Sequence, residues 1–151
     1  MKRSFKKGTI IVIAIMVLLS SMSIAFASEQ PVPVSIRTHS ITPSWIGVSI
    51  ISDSFQILSG GISNPKIWGN THPGAVDYVN VKVSLKRSNG TGWITIKSWN
   101  QNIATPFDMF LFNETYNVTS GYSYMYSAII NSYKYGLLLD SVSFDSIVLR
   151  Y

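Results

Sequence analysis

The stretch that decides the fold is Tyr78-Val79-Asn80-Val81-Lys82-Val83-Ser84-Leu85-Lys86-Arg87, with the segment that follows it. Val79, Val81, Val83 and Leu85 alternate with Asn80, Lys82, Ser84 and Lys86. A period of two sends the first set into a core and the second into water, which is the signature of a half-buried strand. Ser88-Asn89-Gly90-Thr91-Gly92 comes next, and its glycines accept the positive φ of a tight turn. The chain resumes as Trp93-Ile94-Thr95-Ile96-Lys97-Ser98-Trp99, so the pair reads as a β-hairpin. In its second strand Ile94 and Ile96 share one face, and Trp93, Thr95, Lys97 and Trp99 share the other.

Working outward, no stretch carries apolar residues at helical spacing, and short alternating runs separated by Gly, Pro, Asn and Ser recur. Strands are expected at 45–51 and 54–58, on either side of Ser52-Asp53, and at 107–112 and 122–130. Residues 137–139 and 142–149 form one bulged strand or two. About seven strands at this spacing predict an all-β domain, an antiparallel two-sheet sandwich, with a barrel as the alternative. Residues 63–74 break the rhythm with two prolines and two glycines, and are expected to form a long surface loop, either functional or mobile. That loop carries Trp68 and His72. Trp68 there is either a plug over a sheet edge or a ring presented to a partner.

Upstream of the domain, assigned to 39–151, the sequence changes character. Residues 28–38 contain Pro31 and Pro33 and read as an extended linker. Residues 1–27 have the parts of a secretory signal: Lys2, Arg3, Lys6 and Lys7, then an unbroken apolar run, then Ala25-Phe26-Ala27. A signal helix cleaved between Ala27 and Ser28 is expected, and hence a secreted, extracellular protein that touches the membrane only through the segment removed. An uncleaved membrane anchor is the alternative, since no charge occurs from Gly8 to Ser28. The strongly basic start is in the style of Gram-positive bacteria.

Charge narrows the partners. The 151 residues carry 12 basic and 7 acidic side chains, a formal +5. Four of the basic ones precede Gly8 and no acidic one does, so eight against seven leave +1 after cleavage. That balance argues against a nucleic-acid partner. The chain has no cysteine, hence no disulfide and no thiolate metal site.

No catalytic constellation stands out. The histidines are His39 and His72, with no G-x-S-x-G around a serine and no H-E-x-x-H. The acids Glu29, Asp53, Asp77, Asp108, Glu114, Asp140 and Asp145 are scattered. Asp140 and Asp145 are near neighbours, read as a turn residue and a bulge residue rather than a glycosidase pair. No cofactor and no metal are expected. Aromatics are the richest feature: Trp45 reads as core, whereas Trp68 and the Tyr122/Tyr124/Tyr126 stripe are candidates for stacking on a ligand, against plain sheet packing. The candidate ligand-binding residues are thus Trp68, His72, Tyr122 and Tyr124.

Several stretches, taken in order, resemble a group of small secreted proteins of Firmicutes, clostridia and their relatives. They are Ser40-Ile41-Thr42-Pro43-Ser44-Trp45, then Val83 to Arg87 with Gly92-Trp93 and Lys97-Ser98-Trp99, then Val118 through Gly121-Tyr122-Ser123-Tyr124. The resemblance covers about Ser40 to Tyr126. It implies an immunoglobulin-like or fibronectin-like β-sandwich and no activity. The chain departs from the group in the longer 63–74 segment. Together these readings predict a secreted, non-enzymatic binding module for an extracellular or cell-surface partner. The alternatives are a carbohydrate- or wall-glycan-binding module and, third, a small secreted hydrolase.

Overall fold

A computed structural model describes residues 46–151 and the backbone of residues 35–40. The expected signal segment 1–27 and its expected cleavage site at Ala25, Ala27 and Ser28, the prolines at 31 and 33, and Trp45 lie outside the described residues. The elements are β1 (Ser35–Ser40), β2 (Val48–Leu58), β3 (Ile62–Thr71), β4 (Tyr78–Ser88), β5 (Trp93–Ala104), a 3-10 turn (Pro106–Asp108), β6 (Met109–Asn113), β7 (Tyr116–Asn117), β8 (Ser123–Lys134), β9 (Leu137–Asp145) and β10 (Leu149–Arg150).

They make two separate antiparallel sheets. The first runs β1-β2-β3-β6, with β7 on β3 beyond β6; the second runs β5-β4-β8, with β9 and β10 along the far side of β8. The described fold is therefore all-β and sandwich-like, and no strand pairing joins the sheets into a barrel. The chain passes between sheets after β3, after β5 and after β7. The interior is filled from both sides. Ile51, Phe55, Ile57, Ile67 and Phe112 come from the first sheet, and Val79, Val81, Val83, Leu85, Tyr126 and Ile130 from the second. Each such aliphatic or aromatic side chain contributes roughly 1.5–3 kcal/mol by leaving water. The alternation read in β4 is the alternation observed, with the four aliphatics buried.

Four expectations are corrected. The segment 63–74 is not a loop. Ile62–Thr71 is β3, which lies inside the first sheet between β2 and β6, and only the residues after Thr71 turn. Pro65 fits because its carbonyl accepts the Glu114 N–H at 3.4 Å, in the gap between β6 and β7. In an antiparallel strand a residue's N and O point to the same side, so the missing N–H faces that gap and no ladder bond is lost. Gly69 fits because a Cβ there would lie 2.2 Å from the Ile50 carbonyl and 2.8 Å from the Phe110 ring. The glycine marks a close approach, not a turn.

Ser52-Asp53 does not divide two strands. β2 is continuous, and Asp53 points inward between Ile51 and Phe55, where the Tyr126 hydroxyl of the opposite sheet donates to its carboxylate at 2.6 Å. Trp93 and Trp99 do not share a face. The register shifts between Leu85 and Lys86, so Trp93 pairs with Ser88 on the outside while Trp99 pairs with Val83. Such a bulge inserts one residue, here Ile96, and reverses the parity of everything beyond it. Finally, Phe107 does not open a strand. It sits in the 3-10 turn, and β6 begins at Met109.

Candidate functional site

The four residues singled out from sequence do not meet. Trp68 lies on the outer side of the first sheet, in β3. His72 follows β3 in an exposed turn held by its N–H to the Gly47 carbonyl and by the Ala75 N–H to its own carbonyl, both at 2.9 Å. Tyr122 precedes β8 near the other end of β3, where Ile62 pairs with Asn117, about 30 Å from His72 along ten residues of strand. Tyr124 is fully buried, and its hydroxyl donates to the Thr119 carbonyl at 2.6 Å and accepts the Thr119 N–H at 3.0 Å. It is a packing residue, as is Tyr126. The tryptophans are equally dispersed: Trp99 faces inward and meets Phe112 edge-on at 6.1 Å, and Trp93 is on the outer side of the second sheet.

What the structure does assemble is an apolar groove beside β6. In the outer row Trp68 is flanked by Ser52 on β2 and Leu111 on β6. Trp68, Leu111, Met109, Ile103 and Phe107 line a groove of about 540 Å³. Lys66, whose Nζ lies 5.5 Å from the centre of the Trp68 ring, is the one ionisable residue in the lining. Met109 and Leu111 are 58% and 53% exposed, and Phe107 is 93% exposed.

Phe107 is held there under strain. Its φ is 61° and that of Asp108 is 60°, two successive non-glycine residues in the left-handed region. Each such residue costs of order 1–3 kcal/mol and persists only where surrounding bonds impose it. The bonds are visible. The Asp108 carboxylate accepts the Gly74 N–H at 2.9 Å, and the Asp108 N–H reaches the Thr105 carbonyl at 3.2 Å. Buried Thr105 donates its hydroxyl to the Val76 carbonyl at 2.8 Å. Sequence reading overlooked this turn, yet a signal was there: Pro106 stops the ladder and Asp108 favours a turn, so the aromatic residue between them has to leave the sheet.

The outer side of the second sheet is different in kind. Asn80 donates to Asn100 at 2.8 Å and Asn102 at 2.7 Å, and Ser84 bonds Ser98 at 3.3 Å, so the side chains there are largely spent on one another. The Asn80 amide oxygen, enclosed among them, lacks a donor. The Asp145 carboxylate accepts from the Ser127 hydroxyl. Asp140 accepts the N–H groups of Ile46, at 2.9 Å, and Gly47, at 2.5 Å, which fixes the entry to β2. At one end of this sheet Lys134 donates to Asp77 at 2.8 Å. That bond, joined by the Tyr135 N–H, holds the Asp77 carboxyl below the ordinary value of 3.8, and the same bond raises Lys134 above 10.5.

Among the described residues no three histidine or carboxylate side chains are grouped to hold a metal ion, and no helix is long and apolar enough to cross a membrane. Compared with known proteins, the chain matches no family model, no curated protein and no solved structure.

Proposed function

We propose that the protein is a secreted, non-enzymatic interaction module, an immunoglobulin- or fibronectin-like sandwich. Its working surface is the groove beside β6, and its partner is a protein that inserts an apolar segment with an acidic flank. The observation that carries this reading is Phe107: a large ring held almost wholly in water, at a strained backbone position, by three hydrogen bonds. Strain and exposed apolar surface both cost stability, and their coincidence favours a role in contact. Trp68, Leu111 and Met109 extend the apolar surface, and Lys66 at its rim favours an acidic neighbour on the partner.

The finer fold assignment rests on two features. Three crossings between the sheets give a Greek-key path. The Tyr124 hydroxyl also bonds the backbone five residues upstream, where the chain passes from β7 to β8, as the tyrosine corner does in immunoglobulin-like domains. Export rests on the basic, apolar and A-x-A order of residues 1–27, and the likeness to secreted Firmicute proteins agrees with it. Trp68 and Trp93 lie on the outer sides of different sheets and Trp99 faces inward, which favours a protein partner over a glycan stacked on a row of rings.

Placing a photoreactive benzoyl-phenylalanine at Phe107 in the full chain, expressed in its host, tests the proposal. One dominant protein adduct at Phe107 and none from the same group at Ile129, exposed on the polar side, is the expected result. No adduct, or the same adducts from both positions, would overturn it.

A further inference from the structure

A second site lies on the other sheet, at the tip of the β8–β9 hairpin. Lys134 pairs with Leu137 across a two-residue turn, Tyr135-Gly136, whose φ values are 51° and 77°. A turn with two positive φ angles favours Asn-Gly, and a bulky ring at its first position is an outlier. Tyr135 is nevertheless 84% exposed, and Leu137 and Leu138 beside it are 70% and 56% exposed. The turn is clamped from behind. One oxygen of the Asp77 carboxylate accepts the Tyr135 N–H at 2.7 Å, and the other accepts from Lys134. An apolar knob is thus held in water at a cost in stability.

The residues behind the knob are graded along the strands. Tyr78, Tyr133 and Leu138 form one row on the outer side of the second sheet, and the two tyrosine rings stack at 4.8 Å. The next row is Asn102, Asn80, Asn131 and Ser141. The rows are about 7 Å apart, and the turn lies about 7 Å beyond the tyrosines. Aliphatic tip, tyrosine row and amide row therefore follow one another in the order of acyl chains, interface and water in a lipid leaflet. Charge is suppressed where it would oppose insertion. Lys134 is the one charged residue in 133–139, and Asp77 pairs with it. The Asp140 carboxylate, next along β9, is taken by the Ile46 and Gly47 N–H groups.

We infer that the protein docks on a lipid bilayer by inserting this tip to the depth of the tyrosine row. A convex knob graded by depth suits a fluid apolar layer, which needs no matching pocket. The contact is apolar, so it requires neither anionic lipid nor low salt.

The chain has no cysteine, so Leu137→Cys can carry a single polarity-sensitive nitrobenzoxadiazole label. Asn89→Cys, at the opposite end of the second sheet, carries the control label. The full chain is mixed with vesicles of phosphatidylcholine, alone or with phosphatidylglycerol. The label at 137 is expected to shift to the blue in both, at low and high salt, and to be quenched by doxyl groups on the lipid chains. The label at 89 is expected to stay as in water. Tyr135→Asn should raise the melting midpoint, because Asn-Gly suits the turn, and yet weaken insertion about fivefold or more. No shift at 137, equal shifts at both positions, insertion only with phosphatidylglycerol at low salt, or undiminished insertion of Tyr135→Asn would each overturn the inference.

Discussion

The outer sides of the two sheets have solved the problem of facing water in opposite ways. On the second sheet Asn80, Asn100 and Asn102 bond one another across β4 and β5, and Ser84 meets Ser98. On the first, beside β6, Met109 and Leu111 lie in the open next to half-buried Trp68, and a turn lifts Phe107 further out. One surface is nearly satisfied by its own side chains, and the other is left with exposed apolar area. The difference teaches where to look. A polar plateau of this kind contributes to stability, and an unfilled apolar groove contributes to recognition.

The comparison breaks most severely if the shared interior fails. Val83→Asp places a charge between the sheets and should cost roughly 3 kcal/mol or more, enough to unfold both surfaces together. Lys82→Asp, one residue away and exposed, should shift the melt little. Equal tolerance of both would mean that the β4 register is wrong.

A pair of surface substitutions sharpens it. Asn80→Ala removes two cross-strand bonds and should cost about 1 kcal/mol while leaving association intact. Leu111→Ser should do the reverse: a stability change within about 0.5 kcal/mol, with association weakened several-fold. Urea melts and binding isotherms on the same samples separate the two responses.

The smallest effect expected is one of pH. Asp77 is held below 3.8 by the Lys134 bond, so its contribution is complete above that value and is lost as pH falls through its folded pKa. Lys134 is raised above 10.5, so its share is complete below that value and is lost as pH rises through its folded pKa. Asp77→Asn should flatten both ends of the stability profile slightly. An unaltered profile would show the pair fully screened by solvent.

Legibility differed along the chain for physical reasons. In β4 every core position is aliphatic and every outer one polar, so period and burial agree. In β3 the same alternation is present, but Pro65 and Gly69 mask it. Each has a tertiary excuse, the gap between β6 and β7 and the approach of the Phe110 ring, that no local pattern encodes. Asp53 looks like a turn because its partner, Tyr126, lies on another sheet. The bulge at Ile96 that separates Trp93 from Trp99 leaves no mark in β5 itself. For the site, Trp68 reads as a loop residue from its neighbours Pro65 and Gly69, and it lies instead in β3 opposite Leu111. Tyr124 was a packing residue, and Phe107 went unnoticed because an apolar residue beside a strand reads as part of it.

The central claim is that Phe107 is held out for a partner and not for the fold, and Phe107→Gly tests it most directly. Glycine adopts φ 61° without strain, and that gain roughly offsets its extra freedom when unfolded, each about 1 kcal/mol. The account predicts a melting midpoint within about 2 °C of wild type, or above it, together with loss of the adduct-forming partner. A midpoint lower by about 5 °C or more, with association retained, would contradict it and make the ring a structural element.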